Sequence, residues 1–493
     1  MKKRSAYLAI DFGTSNVHAS VIDAETTRII VNTNKKYGWY YPAQNQVELH
    51  IDETWKASEW AVGEVIRQLP EDVELLAITF SYFGDSITPV DEKGEALYGM
   101  IPGFCGRSFK EVQTIGREIG ADTYAKITGN TLSTLATPSK IMWLRDNEPE
   151  VFKKAAGFYS NQQYVMRKLG LGDVQDRTMA ARKLMIDVKA NCWSAPILEL
   201  AGVTEQQLGT QIVESATVVG TIDHYGSVRL PRTLPVTIGC HDVSASLLSA
   251  GVRLENPDTI GVLMGTYEQM GYFSDTFVDG CNDFGDSLIF SCCYSSPFNN
   301  KYTVMDAFPT AGALLEWFCK NILRDPSADI GKLIADAKLD GTGSLMMLPY
   351  VENFHGAVVG MSLSTTTDEI FAAILESLAY QFVACVDYIR STREQPFTKL
   401  HFGGGGSRTD KLLQLRADLI QAPLGRMQNI ELPSLGACML AGLGNNWYAS
   451  VEDAAAHMGN PVSYFEPIPE NETKYAERYA KYKAISADYL RRY

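Results

Sequence analysis

No two cysteines in this chain are spaced as a pair that would close a loop. The nine are scattered without a Cys-x-x-Cys spacing, and only Cys292 and Cys293 are adjacent. Such usage reads as small core residues of a reducing compartment rather than a disulfide framework. Positive charge is also in short supply: 44 Lys and Arg stand against 58 Asp and Glu, a formal charge of −14. That balance argues against nonspecific binding to nucleic acid or to anionic membranes. Low-complexity tracts are lacking, and with them any obvious disordered tail. No stretch supplies the ~18 uninterrupted apolar residues needed to cross a membrane. The basic start MKKRSAYLAIDFG is broken by Asp11 before its apolar run can serve as a signal sequence. These features together predict a soluble cytoplasmic protein.

Two related devices stand half a chain apart. Tyr7–Asp23, YLAIDFGTSNVHASVID, and Ile260–Asp275, IGVLMGTYEQMGYFSD, each run an apolar strand into a Gly-Thr turn and out along a second strand. A Gly-Thr tip suits a polyphosphate, because glycine lets the backbone come close while amides and the hydroxyl donate. Asp11 precedes Gly13 by two residues, whereas Leu263 holds the matching position before Gly265. A clamp repeated in both halves with a carboxylate on one side only points to an enzyme that handles ATP. At 493 residues, two large domains are expected, 1–250 and 251–493.

Periodicity predicts strands to about Asn32, a helix over Thr54–Arg67 and a strand over Leu75–Phe80. A hairpin is expected over Thr88–Leu97, with Asp-Glu-Lys-Gly at its tip. Ala136–Phe152 reads as one helix burying Trp143 and Leu144, and Leu234–Gly239 as a short strand. Cys240-His241-Asp242 then turns into a small-residue helix. In the second half, Pro309–Ile322 with Gly312 near its start and Asp368–Arg390 read as helices. A strand at Leu400–Phe402 meets Gly403–Ser407, followed by another helix. Strands, helices and glycine-rich turns in this order imply two α/β domains around a cleft.

Each motif has a plainer reading. Asp-Phe-Gly-Thr also makes an ordinary turn; functionally, Asp11 would hold Mg²⁺, Thr14 and Ser15 would contact phosphate oxygens, and Gly265 and Thr266 would close from the other side. Gly404, Gly405, Gly406 and Ser407 are either a tight strand-to-helix connection or a nucleotide-facing loop. Asp242 is either a helix cap or a general base, and the two are compatible. Arg107, after Gly-Phe-Cys-Gly, is either a solvated arginine or a ligand contact. Trp39, Tyr41, Tyr82 and Phe83 are candidate pocket aromatics or core.

In this order the pieces resemble the FGGY family of carbohydrate kinases, in the superfamily of actin and hexokinase. DFGTSNVHASVID resembles its first phosphate motif, and ATPSKIMWLRDNEPEVF its N-terminal signature around Lys140, Trp143 and Asn147, with Leu135 a departure. GCHDVSASLLSAGV is similar to the segment carrying the base, matched by Asp242, and IGVLMGTYEQM to the second phosphate motif. GGGGSRTDKLLQLRADLIQAPL with ELPSLGACMLAGLG resembles the adenosine motif. The resemblance implies two ribonuclease H-like domains flanking a cleft, ATP and Mg²⁺ as cofactors, and a homodimer as the assembly to test.

FGDSITPVDEKGEALYGMIPGFCGR is similar to a segment of L-fuculose and L-rhamnulose kinases. Arg107 matches a sugar-side arginine, Ser86 falls where those kinases carry Asp, and Gly103 where the fuculose kinases carry Trp. The implied reaction is γ-phosphoryl transfer to a hydroxyl of a ketose (6-deoxyhexulose or pentulose) or related polyol. The rivals are a chaperone-like ATPase and a catalytically degenerate binder of sugar or nucleotide.

Overall fold

The structure is a computed structural model that describes residues 3–255, 257–265, 267–279, 290–308, 311–339, 343–349 and 356–491. Its chain opens with Arg4–Phe12 (β1), buried along nearly its whole length, which is why RSAYLAIDF reads as a continuous apolar run rather than an alternation. Asn16–Asp23 (β2) and Ile29–Lys36 (β3) fold back antiparallel on one side of it. Ile51–Gln68 (α1) covers one face through Ile51, Thr54, Ala57, Ser58, Ala61, Val62 and Val65, a spacing that keeps one stripe on the sheet. Val73–Tyr82 (β4) then pairs parallel on the other side of β1. Val218–Tyr225 (β5) and Val228–Thr237 (β6) form an antiparallel ribbon, and β6 joins β4.

Gly239 interrupts that strand. Its φ of +74° is in the left-handed region, and a side chain there would meet the Phe80 carbonyl oxygen at 1.8 Å. Only glycine lets the chain step over β4 and resume pairing as Cys240–His241 (β7), opposite Ser81 and Tyr82. The strand order is therefore β3-β2-β1-β4 followed by β6 and β7 at one position.

The second half repeats the plan. Thr259–Met264 (β8), Glu268–Ser274 (β9), Phe290–Ser295 (β10), Tyr302–Phe308 (β11), Lys399–Gly403 (β12), Leu424–Met427 (β13) and Val462–Phe465 (β14) form a sheet in the order β10-β11-β9-β8-β12-β13-β14. Its middle, β11-β9-β8-β12-β13, has the same order and directions as the first sheet. Thr367–Thr392 is long and apolar enough by composition to cross a membrane, but 78% of its most apolar stretch is buried, as in a core helix.

After the fifth position of each sheet comes a helix, Asp242–Ser249 (α2) in the first and Leu432–Gly444 (α3) in the second. These two pack on each other. Their contact is so close that a side chain at Gly436 would fall 1.8 Å from the Ala245 carbonyl oxygen. α3 is apolar around its circumference because it is enclosed on all sides: Leu435, Cys438 and Met439 also join Tyr7, Ala9 and Ala77 of the first sheet. Thr79 donates across the junction to the Ala437 carbonyl (3.1 Å).

Several expected elements differ. The single helix over 136–152 is two, Thr137–Asn147 and Pro149–Lys154, because the residue before a proline is pushed out of helical geometry and Glu148 has φ −128°, ψ 58°. Leu144 is buried there, whereas Trp143 is only partly so. Of the 88–97 hairpin, the turn forms, but Thr88–Val90 pairs with Gly157–Tyr159 and the return arm makes only the Val90–Ala96 bridge. The helix expected from Pro309 runs over Gly312–Asn321, and 309–310 lie outside the described residues.

Substituting Gly436→Ala is expected to cost at least about 2 kcal/mol, since backbone must move to admit the methyl group. Gly38→Ala, where no heavy atom lies within 4 Å, is the matched control with little cost. Denaturant midpoints of the two variants check this.

Candidate active site

The register of the first sheet places the acids. Asp11 near the end of β1 lies opposite Ser81 on β4, and Ser81 lies opposite Cys240 on β7, so Asp242 begins α2 at the same edge. Ser81 donates to Asp11 Oδ1 at 2.6 Å. Burial holds the Asp11 carboxyl above its ordinary range; the Ser81 bond and nearby His18 oppose the rise, and Glu431 adds to it. Glu431 sits at the start of α3, so the packing of α2 on α3 brings an acid of the second half to the first.

Asp242 is the first residue of α2, with His241 as the cap, and its Oδ1 accepts from the Val243 amide (2.7 Å). About 28% of its side chain stays open, yet protein surrounds it. Burial, then the charges of Asp11 and Asp85, push its carboxyl up to about 8, against the Val243 bond and Arg182. The adjacent His241 is enclosed, with Nε2 3.2 Å from Asp242 Oδ1, and burial and Arg182 hold its imidazole well below the usual range and neutral. Its amide donates to Thr178 Oγ1 (2.8 Å), and Thr178 bonds in turn to buried Asp176.

Two further residues complete the cluster, and neither was singled out by motif. Asp85 has a left-handed backbone (φ +56°) and an Oδ2 held 2.5 Å from Arg182 Nη2. Its Oδ1 is buried without a protein partner. Arg182 is 2% exposed and also donates to Asn130 Oδ1 (2.9 Å). Burial alone would lower its pKa, but the Asp85 charge and hydrogen bond together with Cys292 and Tyr294 outweigh that and raise it. The gapless alignment put an acid-bearing position at Ser86; Ser86 is instead buried and the acid stands one residue earlier. The left-handed turn at Asp85, invisible to motif spacing, makes the difference.

The glycine-rich parts assemble as follows. Gly13 closes the first hairpin by donating to the Asn16 carbonyl (3.0 Å), with Tyr37 O–H donating to the carbonyls of Gly13 and Asn16, which leaves Thr14 and Ser15 exposed at the tip. In the second half, the Gly312 amide donates to the Gly265 carbonyl (3.1 Å). Gly404 and Gly406 lie against Met264, close enough that side chains would meet it at 2.7 and 2.9 Å. Gly265, Gly312 and Gly404 to Gly406 are thus one surface. Ser407 is buried and its hydroxyl donates back to the Gly404 carbonyl (2.7 Å), so it cannot also reach a phosphate as a side chain. Thr266 lies outside the described residues. Glu268, just beyond this tip, is tied by two bonds (2.6 and 2.8 Å) to Arg416.

The expected sugar-side residues fare differently. Tyr82 is fully buried, stacked between Phe12 and Phe80, and Phe83 is 5% exposed; both belong to the core rather than to a pocket wall. Aromatics at the end of an apolar strand complete its packing before they line anything else. The Arg107 side chain is wholly enclosed: it pairs with Glu48 (2.8 Å), donates to the Val47 carbonyl and the Tyr98 hydroxyl, and lies over the Trp143 ring. Its donors are thereby committed to the protein. Trp39 packs edge-on against Phe104, and Tyr41 is exposed. A cavity of about 860 Å³ between Asp410, Lys411, Gln414, Phe465 and Tyr475 shares no lining residue with the acid cluster.

Mg²⁺ takes oxygen ligands, using one or two carboxylates plus phosphate oxygens and water. Asp11, with one oxygen held by Ser81 and with Asp242 and Glu431 raising the local negative potential, fits that demand. No group of three or more His, Cys, Asp or Glu side chains among the described residues forms a self-sufficient metal cage.

Residues 6–249 match the FGGY family of carbohydrate kinases, N-terminal domain, and residues 286–444 the C-terminal domain of the same family. The chain is 25% identical over 480 residues to a glycerol kinase of Desulforamulus reducens, covering 92% of each chain. It is 24% identical over 489 residues to an L-fuculokinase of Escherichia coli O157:H7, covering 95% of this chain and 99% of that one. It is likewise 24% identical over 497 residues to a xylulose kinase of Lactococcus lactis, with 97% and 96% covered. Among solved structures, gluconate kinase from Lactobacillus acidophilus superposes with a TM-score of 0.84 over the full length of both chains at 18% identity. A ligand-bound xylulose kinase from the same organism gives 0.83, covering 99% and 100%. The two-sheet architecture is that of the actin and hexokinase fold. With both domain matches in sequence order over a cluster of acids, the chain belongs to the FGGY family of carbohydrate kinases, phosphotransferases that use an alcohol group as acceptor.

Proposed function

We propose that this protein transfers the γ-phosphoryl group of ATP to a hydroxyl of a ketose, such as a 6-deoxyhexulose or pentulose, or of a related polyol. The observation that carries the reading is the Asp242 carboxyl, kept basic by burial and by Asp11 and Asp85. A carboxylate with a value near 8 is a far better proton acceptor than one near 4, and an attacking alcohol must lose its proton as phosphorus arrives. Residues 1–250 serve as the sugar and base half, and residues 251–493 as the nucleotide half.

In this mechanism Asp242 takes the acceptor proton, while Asp85 Oδ1, buried and unpartnered, accepts a hydrogen bond from another hydroxyl of the same substrate. Arg182 holds Asp85 in place through its other oxygen. Thr14 and Ser15 at the Gly13 turn face the phosphates from one side, and the Gly265, Gly312 and Gly404–Gly406 surface from the other. Mg²⁺, held by Asp11, would neutralise phosphate charge when bound. Relatives named for glycerol, xylulose and L-fuculose lie at 24–25% identity, so identity alone does not select among acceptors. All three acceptors carry vicinal hydroxyls, which suits a paired Asp85 and Asp242. Free thiols at seven described cysteines, Cys292 aside, support a cytoplasmic setting, and a homodimer is the assembly to test.

A coupled assay over ketopentoses, deoxyketohexoses and polyols tests the reading, since a degenerate binder would release no ADP in response to any of them. Asp242→Asn should retain ATP binding while losing at least about 100-fold in acceptor-dependent ADP release. Because the base works only when ionised, kcat/KM for the acceptor should rise with pH, half-maximal near 8, a value set by burial; a profile flat from pH 6 to 9 would contradict the base assignment. The same raised value makes the ionised carboxylate a cost to folding above its unfolded pKa. Stability therefore falls as pH rises from about 4 toward 8, and Asp242→Asn should melt higher than the parent at pH 8 but not at pH 4. Asp85→Asn should raise the acceptor KM by roughly 10- to 100-fold with the ATP KM little changed.

A further inference from the structure

β10, the outermost strand of the second sheet, spends its free edge on the first domain. The Cys293 amide donates to the Gly129 carbonyl at 2.8 Å, and Cys292 bridges to Asn130. This seat carries Tyr294 into the acid cluster, fully buried, with its ring edge-on to His241 and its hydroxyl 3.0 Å from His241 Nδ1. The other ring nitrogen of His241 lies 3.2 Å from Asp242 Oδ1. The hydrogen-bond directions follow. A carboxylate acting as base only accepts, so Nε2 carries the imidazole proton, Nδ1 is the acceptor, and the Tyr294 O–H donates to it. The Tyr294 face meanwhile lies under the Arg182 guanidinium (4.9 Å), the group that holds Asp85.

We propose that Tyr294 and His241 are positioning residues for Asp242, a relay of one hydrogen bond (Tyr294 to His241 Nδ1) and one close polar contact (His241 Nε2 to Asp242 Oδ1, 3.2 Å) through which the second domain supplies the outermost donor and thereby orients the base of the first. The inference rests on the kinase reading of Asp242 and deepens it. Tyr294 fixes the imidazole tautomer, the imidazole N–H faces Asp242 Oδ1 at 3.2 Å beside the Val243 amide that donates to it, and the other oxygen is left for the acceptor hydroxyl. A base oriented from across the domain boundary is assembled only when β10 is seated on residues 129–130. That seat makes turnover dependent on the relation of the two domains as well as on the first-domain pocket. His241 is 4% exposed, and its burial with the Arg182 charge keeps it neutral, with a single ring N–H turned to Asp242.

The test uses the full chain and Tyr294→Phe, which deletes one oxygen and leaves the ring over Arg182. Acceptor-dependent kcat should fall about tenfold, a fraction of the loss expected on removing the base, with the KM values for ATP and acceptor and the melting temperature near those of the parent. His241→Gln should give a similar loss, and the double variant should lose no more than either alone, because both break one chain. In parallel, ¹⁵N-histidine NMR at pH 9, where Asp242 is ionised, should show His241 as the Nε2–H tautomer with a hydrogen-bonded Nδ1. The His241→Gln spectrum assigns the resonance, and the Nδ1 signal should move to a non-bonded position in Tyr294→Phe. If the parent protein is active and Tyr294→Phe turns over normally, or if the two losses multiply, the relay is overturned while the kinase reading stands. A parent inactive on every acceptor overturns the kinase reading. In that case the NMR arm still decides whether the Tyr294–His241 bond exists, and an imidazole signal indifferent to Tyr294→Phe rejects it.

Discussion

The contact of α2 on α3 is the constraint from which the rest of the structure follows. Two helices, each following the fifth position of its own sheet, meet so closely that Gly436 has room for no side chain beneath the Ala245 carbonyl. The helices run antiparallel, with Ser249 at the end of α2 donating to the Leu432 carbonyl at the start of α3 (2.8 Å), and Glu431 there acts on Asp11 while α3 fills the face of the first sheet beside β1 and β4. A bulkier residue at the crossing would separate the helices and with them the two halves of the site. Close helix contact in a core tolerates little change in volume, because interiors are packed at crystal-like density.

That crossing has an electrostatic consequence. It sets Glu431 within electrostatic reach of Asp11, which with Asp85 and the buried Arg182 acts on Asp242, and burial raises the carboxyls of Asp11 and Asp242. Such an arrangement opposes folding and is sustained by apolar packing elsewhere, in the enclosed strands β1 and β4 and the two helices. Its chemical return is a carboxylate basic enough to take an alcohol proton, beside a second with an oxygen left free and a third suited to a hard cation. Gly239 has a related part, since the backbone step it permits is what turns Asp242 out of the sheet and into the site.

Local pattern made a large share of this legible. The paired Gly-Thr hairpins were visible because turn chemistry is local and because repetition in two halves is improbable by chance. The Asp242 turn and the glycine run could be read for the same reason, each being a few contiguous residues whose geometry depends on their own types. Aromatics misled: Tyr82 and Phe83 sit next to the site in sequence, but Tyr82 at the end of β4 and Phe83 just beyond it both pack into the core of the first domain. Arg107 was misleading in another way, since an arginine in an irregular loop gives no sign that Glu48, Tyr98 and Trp143 will enclose it.

Local residue pattern carried the two α/β halves, the paired Gly-Thr turns, the acidic character and the candidates Asp11 and Asp242, all of which depend on residues within a few positions of one another. It took the folded chain to show that Asp85 rather than Ser86 pairs with Arg182, with one carboxylate oxygen left over, and that Tyr294 arrives from the opposite sheet to meet His241. Those partners are separated by 53 to 97 positions along the chain. Nothing local encodes their meeting, because it results from a backbone turn and from the seating of one sheet edge on another domain's loop.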